Sequence, residues 1–288
     1  MFFAKPVSVL LLCIVLLLLP ATLVPLLNKT AGGPAEHTSV RGETVALYRI
    51  GPYRHMPADV AIQGIAQDYI TLFVALPLLL ISWLQRRHLY AQVVLAGILL
   101  YITLTYLFYM NLAMYNELFL VYVALLGCSF YALLLHLLQL RWKTISAKLQ
   151  SNKTLRPIAV FLIVNACIMT ALWLQVIVPP ILSGRLYPTG LAHFTSLVVQ
   201  GFDLAIFLPM SVIVAVMTLR QHPSGAAMVA VYVVFLAILM LALLAKIIAM
   251  ALSGQNVIPA VFLIPTIGGI AFFAAIKLLM QLHTKQQH

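Results

Sequence analysis

Three carboxylates and one ammonium sit where an apolar chain has least reason to keep them. Asp68, Glu117 and Asp203 enter stretches built mainly of Leu, Val, Ile, Ala and Phe, and Lys246 lies in another. Ionisable groups in hydrocarbon are costly, so they are paired, neutralised or held for a ligand. Polar residues accompany them at helical spacing. Gln63, Gln67 and Thr71 recur at i, i+4 and i+8, with Gly64 and Asp68 on the adjoining stripe; Tyr101, Thr105 and Tyr109 repeat the pattern, followed by Asn111. Tyr115, Asn116 and Glu117 open a further segment that also carries Tyr122. Ser196, Gln200, Asp203 and Phe207 share one face, with His193 just outside it.

One cation among three acids leaves room for a cationic ligand or for protons. The expected ligand-binding set is Asp68, Glu117, Asp203, Lys246, Gln67, Tyr109, Asn111, Tyr115, Asn116 and His193. Tyr109 and Tyr115 would add cation–π contacts, and Lys246 would set the resting charge. The competing reading is a buried network in which Lys246 pairs with Asp203 or Asp68 and fixes helix packing. Lys246 could also snorkel outward, and tyrosines near helix ends are ordinary interfacial anchors.

These residues need a membrane scaffold. The chain has 288 residues, 64% hydrophobic and 8% charged, with mean hydropathy +1.07; a soluble domain carries about a quarter charged residues. Eight apolar windows, at 7–27, 61–84, 91–110, 117–140, 158–178, 198–219, 227–252 and 257–280, are each long enough to cross a bilayer as a helix. A transmembrane barrel would show short alternating segments instead. The expectation is an all-α polytopic protein: a single membrane domain over 1–288, with halves at 1–150 and 151–288 if it is duplicated. Lys5 followed by the apolar run from Val7 also reads as a signal peptide, whose removal would leave seven spans.

The net charge of +11 is a topology signal, not a nucleic-acid footprint. Eleven basic residues (Lys5, Arg86, Arg87, Arg141, Lys143, Lys148, Lys153, Arg156, Arg220, Lys277 and Lys285) flank one set of loops, against Lys29, Arg41, Arg49, Arg54 and Arg185 on the other. The positive-inside rule puts both termini in the cytoplasm. All six carboxylates, including Glu36, Glu43 and Asp59, then fall on the opposite side. Trp142, between Arg141 and Lys143, reads as an interfacial anchor.

The external loop 28–60 is the one sizeable extramembrane segment. Ser39 to Tyr48 alternates around Gly42 as a short hairpin would, and Pro57-Ala58-Asp59 offers Asp59 as a helix N-cap. The loop is read as a lid or as an inert connection. A 4+4 parallel repeat is also legible: Gln67-Asp68 before Pro77 and Arg87-His88 matches Gln200 and Asp203 before Pro209, Arg220 and His222. It would make Asp68 and Asp203 near-equivalent.

Arg41-Gly42-Glu43-Thr44-Val45-Ala46-Leu47-Tyr48, Gln67-Asp68 before Leu76-Pro77-Leu78-Leu79-Leu80-Ile81, and Tyr115-Asn116-Glu117-Leu118-Phe119-Leu120-Val121-Tyr122 together resemble a bacterial family of multi-spanning inner-membrane proteins without known activity. The resemblance covers residues 40–135 best. It breaks at Pro52, where the family pattern has Leu, and at His55-Met56, where it has Asp-Ser. It implies a bacterial inner membrane and nothing about chemistry.

Several chemistries are disfavoured. Cys13, Cys128 and Cys167 have no paired spacing, and His136 is a lone candidate for haem. His193, Asp203 and Glu117 would have to converge to hold zinc, so no metal and no cofactor is expected. No Walker loop or dinucleotide fingerprint occurs. The favoured reading is binding or transport of a small cationic or proton-coupled ligand, unidentified, in an outward-facing acidic and aromatic cavity, with the lipid bilayer as the other partner. The alternatives are an intramembrane enzyme acting on a lipid-linked substrate at the outer leaflet, and a sensor or assembly partner. The inner half, with Asn165, Ser82 and His136 as its few polar residues, argues against a simple channel.

Overall fold

The computed structural model describes residues 4–149, 152–188 and 190–284; Lys285 lies outside them. Among the described residues, eight helices are long and apolar enough to span a membrane: Lys5–Leu27, Ala58–Leu84, Leu89–Leu112, Phe119–Gln139, Lys153–Leu182, Val198–Leu219, Gly225–Leu252 and Ala260–His283. The protein is an integral, multi-pass helical membrane protein. An even number of crossings puts the two ends of the chain on one side of the bundle, called here the terminal side, and the first loop on the other, the hairpin side.

By element, α1 (Ala4–Leu27) forms the first span and α2 (Ala58–Ile70) and α3 (Leu76–Leu84) the second; α4 (Leu89–Leu112) and α5 (Phe119–Gln139) are the third and fourth. The short α6 (Trp142–Leu149) leads into the fifth span, α7 (Asn152–Leu182). The sixth combines α8 (Val198–Phe202) with α9 (Leu208–Leu219), and α10 (Gly225–Leu252) and α11 (Ala260–Thr284) complete the set. Trp142 donates its indole N–H to Leu137 O at 2.9 Å, fixing the turn from α5 into α6.

The third and seventh spans form the centre. Over their most apolar 18 residues, 67% and 72% are buried, against 17% for the fifth span, which is therefore peripheral. Both are predominantly apolar, as a helix surrounded by other helices must be. α10 packs on α2, α4, α9 and α11, and α4 on α3, α5 and α10. Gly97 permits the closest approach: a Cβ there would lie 2.7 Å from Val234 Cγ1 and 3.0 Å from Phe235 N. Without a side chain, α4 can set its backbone against α10 and gain dispersion contacts that lipid would not supply.

The second and sixth spans share a local distortion. Each contains a five-residue π-helix, Thr71–Ala75 and Asp203–Phe207, immediately before Leu76-Pro77 and Leu208-Pro209. Proline has no N–H and its ring crowds the preceding turn. The ladder widens to accommodate it: Leu76 donates to Thr71 O, and Leu208 to Asp203 O, each five residues back. Aligning the two Leu-Pro steps leaves the two carboxylates offset by three residues. Asp203 falls level with Thr71, and Asp68 lies almost one turn farther toward the hairpin side, level with Gln200.

The hairpin pairs Glu36–Thr38 with Thr44–Ala46 antiparallel, in the register His37↔Val45. Its first strand lies upstream of the expected run, because Ser39–Glu43 is consumed by the turn. Ser39 Oγ accepts the Arg41 and Glu43 amides, and Gly42 takes φ +81°. The expected Asp59 cap is also corrected. Pro57 occupies the cap position without a side-chain bond, and Asp59 lies in the first turn of α2.

Gly97→Val should force α4 and α10 apart and lower stability by about 1–3 kcal/mol, the usual range for overpacking. Thermal unfolding in detergent measures the loss. An unchanged melting temperature would show that the α4–α10 contact is not tight.

Candidate functional site

The two polar stripes read from the sequence face each other across α2 and α4. Gln67 Nε2 donates to Tyr101 Oη at 2.7 Å and to Thr105 Oγ1 at 3.1 Å, and Thr71 Oγ1 lies 3.1 Å from Tyr101 Oη. The residue after Gln67 on α2 is Asp68, 1% exposed. Tyr53 donates to its Oδ2 at 2.7 Å, and Tyr109 to its Oδ1 at 2.8 Å. Burial, then the Asp68 charge, hold the Tyr53 phenol well above its usual pKa, so it stays a donor.

Tyr53 was not legible as a site residue. It comes from the 3₁₀ turn Gly51–Tyr53 in the external loop and is 1% exposed, so the loop sends a side chain into the bundle. The one signal for it was an aromatic residue after Pro52, shortly before a helix start. Tyr53 packs edge-on against Tyr109 at 6.2 Å, Tyr109 against Tyr122 at 5.4 Å, and Tyr106 stacks on Tyr122 at 5.9 Å. The Tyr122 hydroxyl is buried and has no hydrogen-bond partner among the described residues. The expected outward-facing cavity is thus corrected to a closed aromatic cage, because Tyr53 fills the approach from the loop.

Tyr109 Oη also lies 2.9 Å from Gly64 O. A phenol has a single proton to give. With Asp68 ionised, Tyr109 donates to the carboxylate. With Asp68 protonated, the carboxyl can donate to Tyr109 Oη while Tyr109 donates to Gly64 O. The same heavy-atom positions therefore serve both protonation states.

Asp203, half-buried at the start of the second π-helix, accepts the Trp173 indole N–H at 2.8 Å. Lys246 is half-buried on α10, the helix that packs against both α2 and α9, and its charge acts on Asp68 and on Asp203. It makes no ion pair with either carboxylate within 4.0 Å. The competing reading's direct Lys246–carboxylate pair is therefore not formed; the two acids act on the ammonium through space alone.

The remaining expected site residues lie elsewhere. Glu117 pairs with Arg54 at the surface, where its own backbone N–H and then the Arg54 guanidinium hold its carboxyl below the usual range. Asn116 accepts the Leu118 amide at 2.8 Å and so caps the entry to α5. Asn111 bonds back to Leu107 O, and Tyr115 is 82% exposed beside Phe119. His193 stands edge-on to His37 at 5.3 Å, in the loop before α8. There Arg41 Nη2 donates to Ala192 O at 2.6 Å and Phe194 O at 2.8 Å and lies over Tyr187. These contacts clamp the external loop at two points, Arg54–Glu117 and Arg41 with His193. Among the described residues no three His, Cys, Asp or Glu side chains are placed to hold a metal ion.

No family model, curated protein or solved structure matches the chain.

Two outcomes test this geometry. Tyr53→Phe and Tyr109→Phe should each cost about 1–3 kcal/mol, the range for stripping a partner from a buried polar group. A double-mutant cycle with Asp68→Asn should show coupling of the same sign, and additive losses would refute the shared bond. At the clamp, burial, then the neighbouring His37, hold the His193 pKa below its usual value against an opposing contact from the His55 backbone, with Arg41 adding to the depression. A depressed folded pKa means that the unfolded form binds more protons. The contribution is therefore full above about pH 6.5, the unperturbed value, and is lost as pH falls through the folded pKa. Hydrogen-exchange protection in residues 190–197, taken relative to the intrinsic rate at each pH, should fall on acidification in the wild type and lose that dependence in His193→Phe.

Proposed function

We propose that this is a bacterial inner-membrane protein, with both termini cytoplasmic, that binds or translocates a proton or small cation at a centre formed by Asp68, Asp203 and Lys246. The observation that carries the reading is the Asp68 cage. A carboxyl within the span, held by two phenols from different elements, has a ready arrangement for each protonation state. Lys246, in reach of both acids electrostatically and bonded as an ion pair to neither, can shift its influence as one or the other gains a positive charge. The charge distribution of the loops supports the orientation. The Pro-linked π-helices supply backbone that is not locked in a regular ladder beside both carboxylates. The cage is closed, so entry from outside requires Tyr53 to withdraw with its loop, which gives the external segment the role of a lid.

The test is thermal stability of the purified protein across pH with a panel of alkali cations and organic amines, using wild type, Asp68→Asn, Asp203→Asn and Lys246→Met. A bound cation at a hundredfold excess over its Kd adds about 2.7 kcal/mol. The expected result is stabilisation of wild type by one class of cation, or by acidification, that Asp68→Asn abolishes. If no condition stabilises wild type selectively and each substitution only lowers the melting temperature, the cage is packing alone and the proposal falls.

A further inference from the structure

The half of the bundle nearer the chain ends looked dry in the sequence, yet the structure gathers its polar groups on one seam. Ser211, fully buried on α9 about two turns from Asp203, donates to Leu162 O at 3.2 Å across the contact with α7. Asn165 follows Leu162 by one turn on α7. It is 6% exposed, and its Oδ1 is buried without a hydrogen-bond partner. The principal neighbours of α7 are α9 and α10, so a buried side chain of α7 faces that seam. About two turns beyond Ser211, Thr218 donates to Gly225 O at 3.0 Å and forms part of the wall of a 280 Å³ cavity together with Ser146, Gln221 and His222. Ser146 Oγ accepts the Ala227 amide at 3.2 Å and keeps its own proton to donate. A single buried water needs only about 10–15 Å³ and two or more polar partners.

From this seam we infer that the passage between the centre and the terminal side runs between the fifth, sixth and seventh spans, from Asp203 past Asn165 and Ser211 to the cavity at Thr218 and Ser146, and carries water. The orphaned Asn165 carbonyl is the strongest sign, since a buried amide oxygen at membrane depth is costly without a donor and water supplies one. Polar backbone and side chains in that depth are tolerated where they line a wet path. In the first half, among the described residues, buried Ser82 and Ser129 bond back within their own helices, to Leu79 O and Leu126 O, and the orphaned Gln92 Oε1 sits in the first turn of α4, at the chain-end entry and not at mid-depth. The inference rests on the proposed cation or proton centre for its use. It does not rest on it for its test.

Cysteine accessibility reads the water directly. In a background with Cys13, Cys128 and Cys167 changed to Ala, Thr218→Cys, Ser211→Cys, Asn165→Cys and the control Ser129→Cys are exposed to membrane-impermeant trimethylammonium-ethyl methanethiosulfonate in inside-out and right-side-out vesicles. The route predicts labelling from the terminal side at all three seam positions, fastest at Thr218→Cys, and several-fold faster at Ser211→Cys and Asn165→Cys than at Ser129→Cys. Ser211 and Ser129 are equally buried, so burial alone cannot produce the difference. Where a variant fails to fold, hydroxyl-radical footprinting of the unmodified chain replaces it: Leu162 and Phe207 should oxidise faster than the comparably buried Leu99 and Leu125. Seam positions no more reactive than the control, by either measurement, overturn the route. If cation-dependent stabilisation through Asp68 persists at the same time, only the route falls; if both are lost, the proposed centre falls with it.

Discussion

Everything on the hairpin side of this bundle is organised by one carboxyl group that water cannot reach. Asp68 cannot be left bare at 1% exposure, because an unpaired charge or unbonded acid in a low-dielectric core costs more than the rest of its helix can offset. Its two oxygens are satisfied by phenols that the fold must deliver from two places, α4 and the external loop. That requirement accounts for features that otherwise look unrelated. The loop must hold a 3₁₀ turn that drives Tyr53 inward, and it must be clamped at both flanks, by Arg54 on Glu117 and Arg41 on the carbonyls of Ala192 and Phe194. Arg41 and Arg54 of the loop are thus employed in tying it down.

The scaffold was legible for an elementary reason: crossing hydrocarbon needs a long apolar helix, and that demand writes itself along the chain. The facing stripes of α2 and α4 were legible too, since Gln67, Thr71, Tyr101, Thr105 and Tyr109 sit at spacing that only a helix brings to one side. Which stripes meet is a tertiary matter. Asp68 finds Tyr109, but Glu117 is turned to the surface by Arg54, a partner from the loop that no periodicity announces. Asn111 and Asn116 are spent on the backbone at helix ends, as short amides there commonly are. Tyr53 was invisible because a loop has no repeat from which to predict where one of its side chains points.

The second and sixth spans show how far likeness between the halves goes. Both carry a π-helix before Leu-Pro, a distortion that proline imposes wherever a helix must continue past it. Their surroundings differ. α1 packs along α5 and closes the first half, while α7 and α11 share no comparable contact among the described residues, and the fifth span is the least buried of the eight. The acids differ accordingly: Asp68 is enclosed by phenols, whereas Asp203 is half-buried with a single indole donor.

Lys246 links these two environments. It lies on the most buried of the eight spans, and the charges of Asp68 and Asp203 both act on it. Fixed as an ion pair to one of them, it would neutralise that acid permanently and isolate the other. Held between them without contact, it makes each carboxyl sensitive to the state of its counterpart, because a change at one alters the field that the ammonium presents to the other. The geometry therefore makes the three groups one electrostatic unit spread over three helices, and it gives α10 its reason to lie at the centre of the bundle.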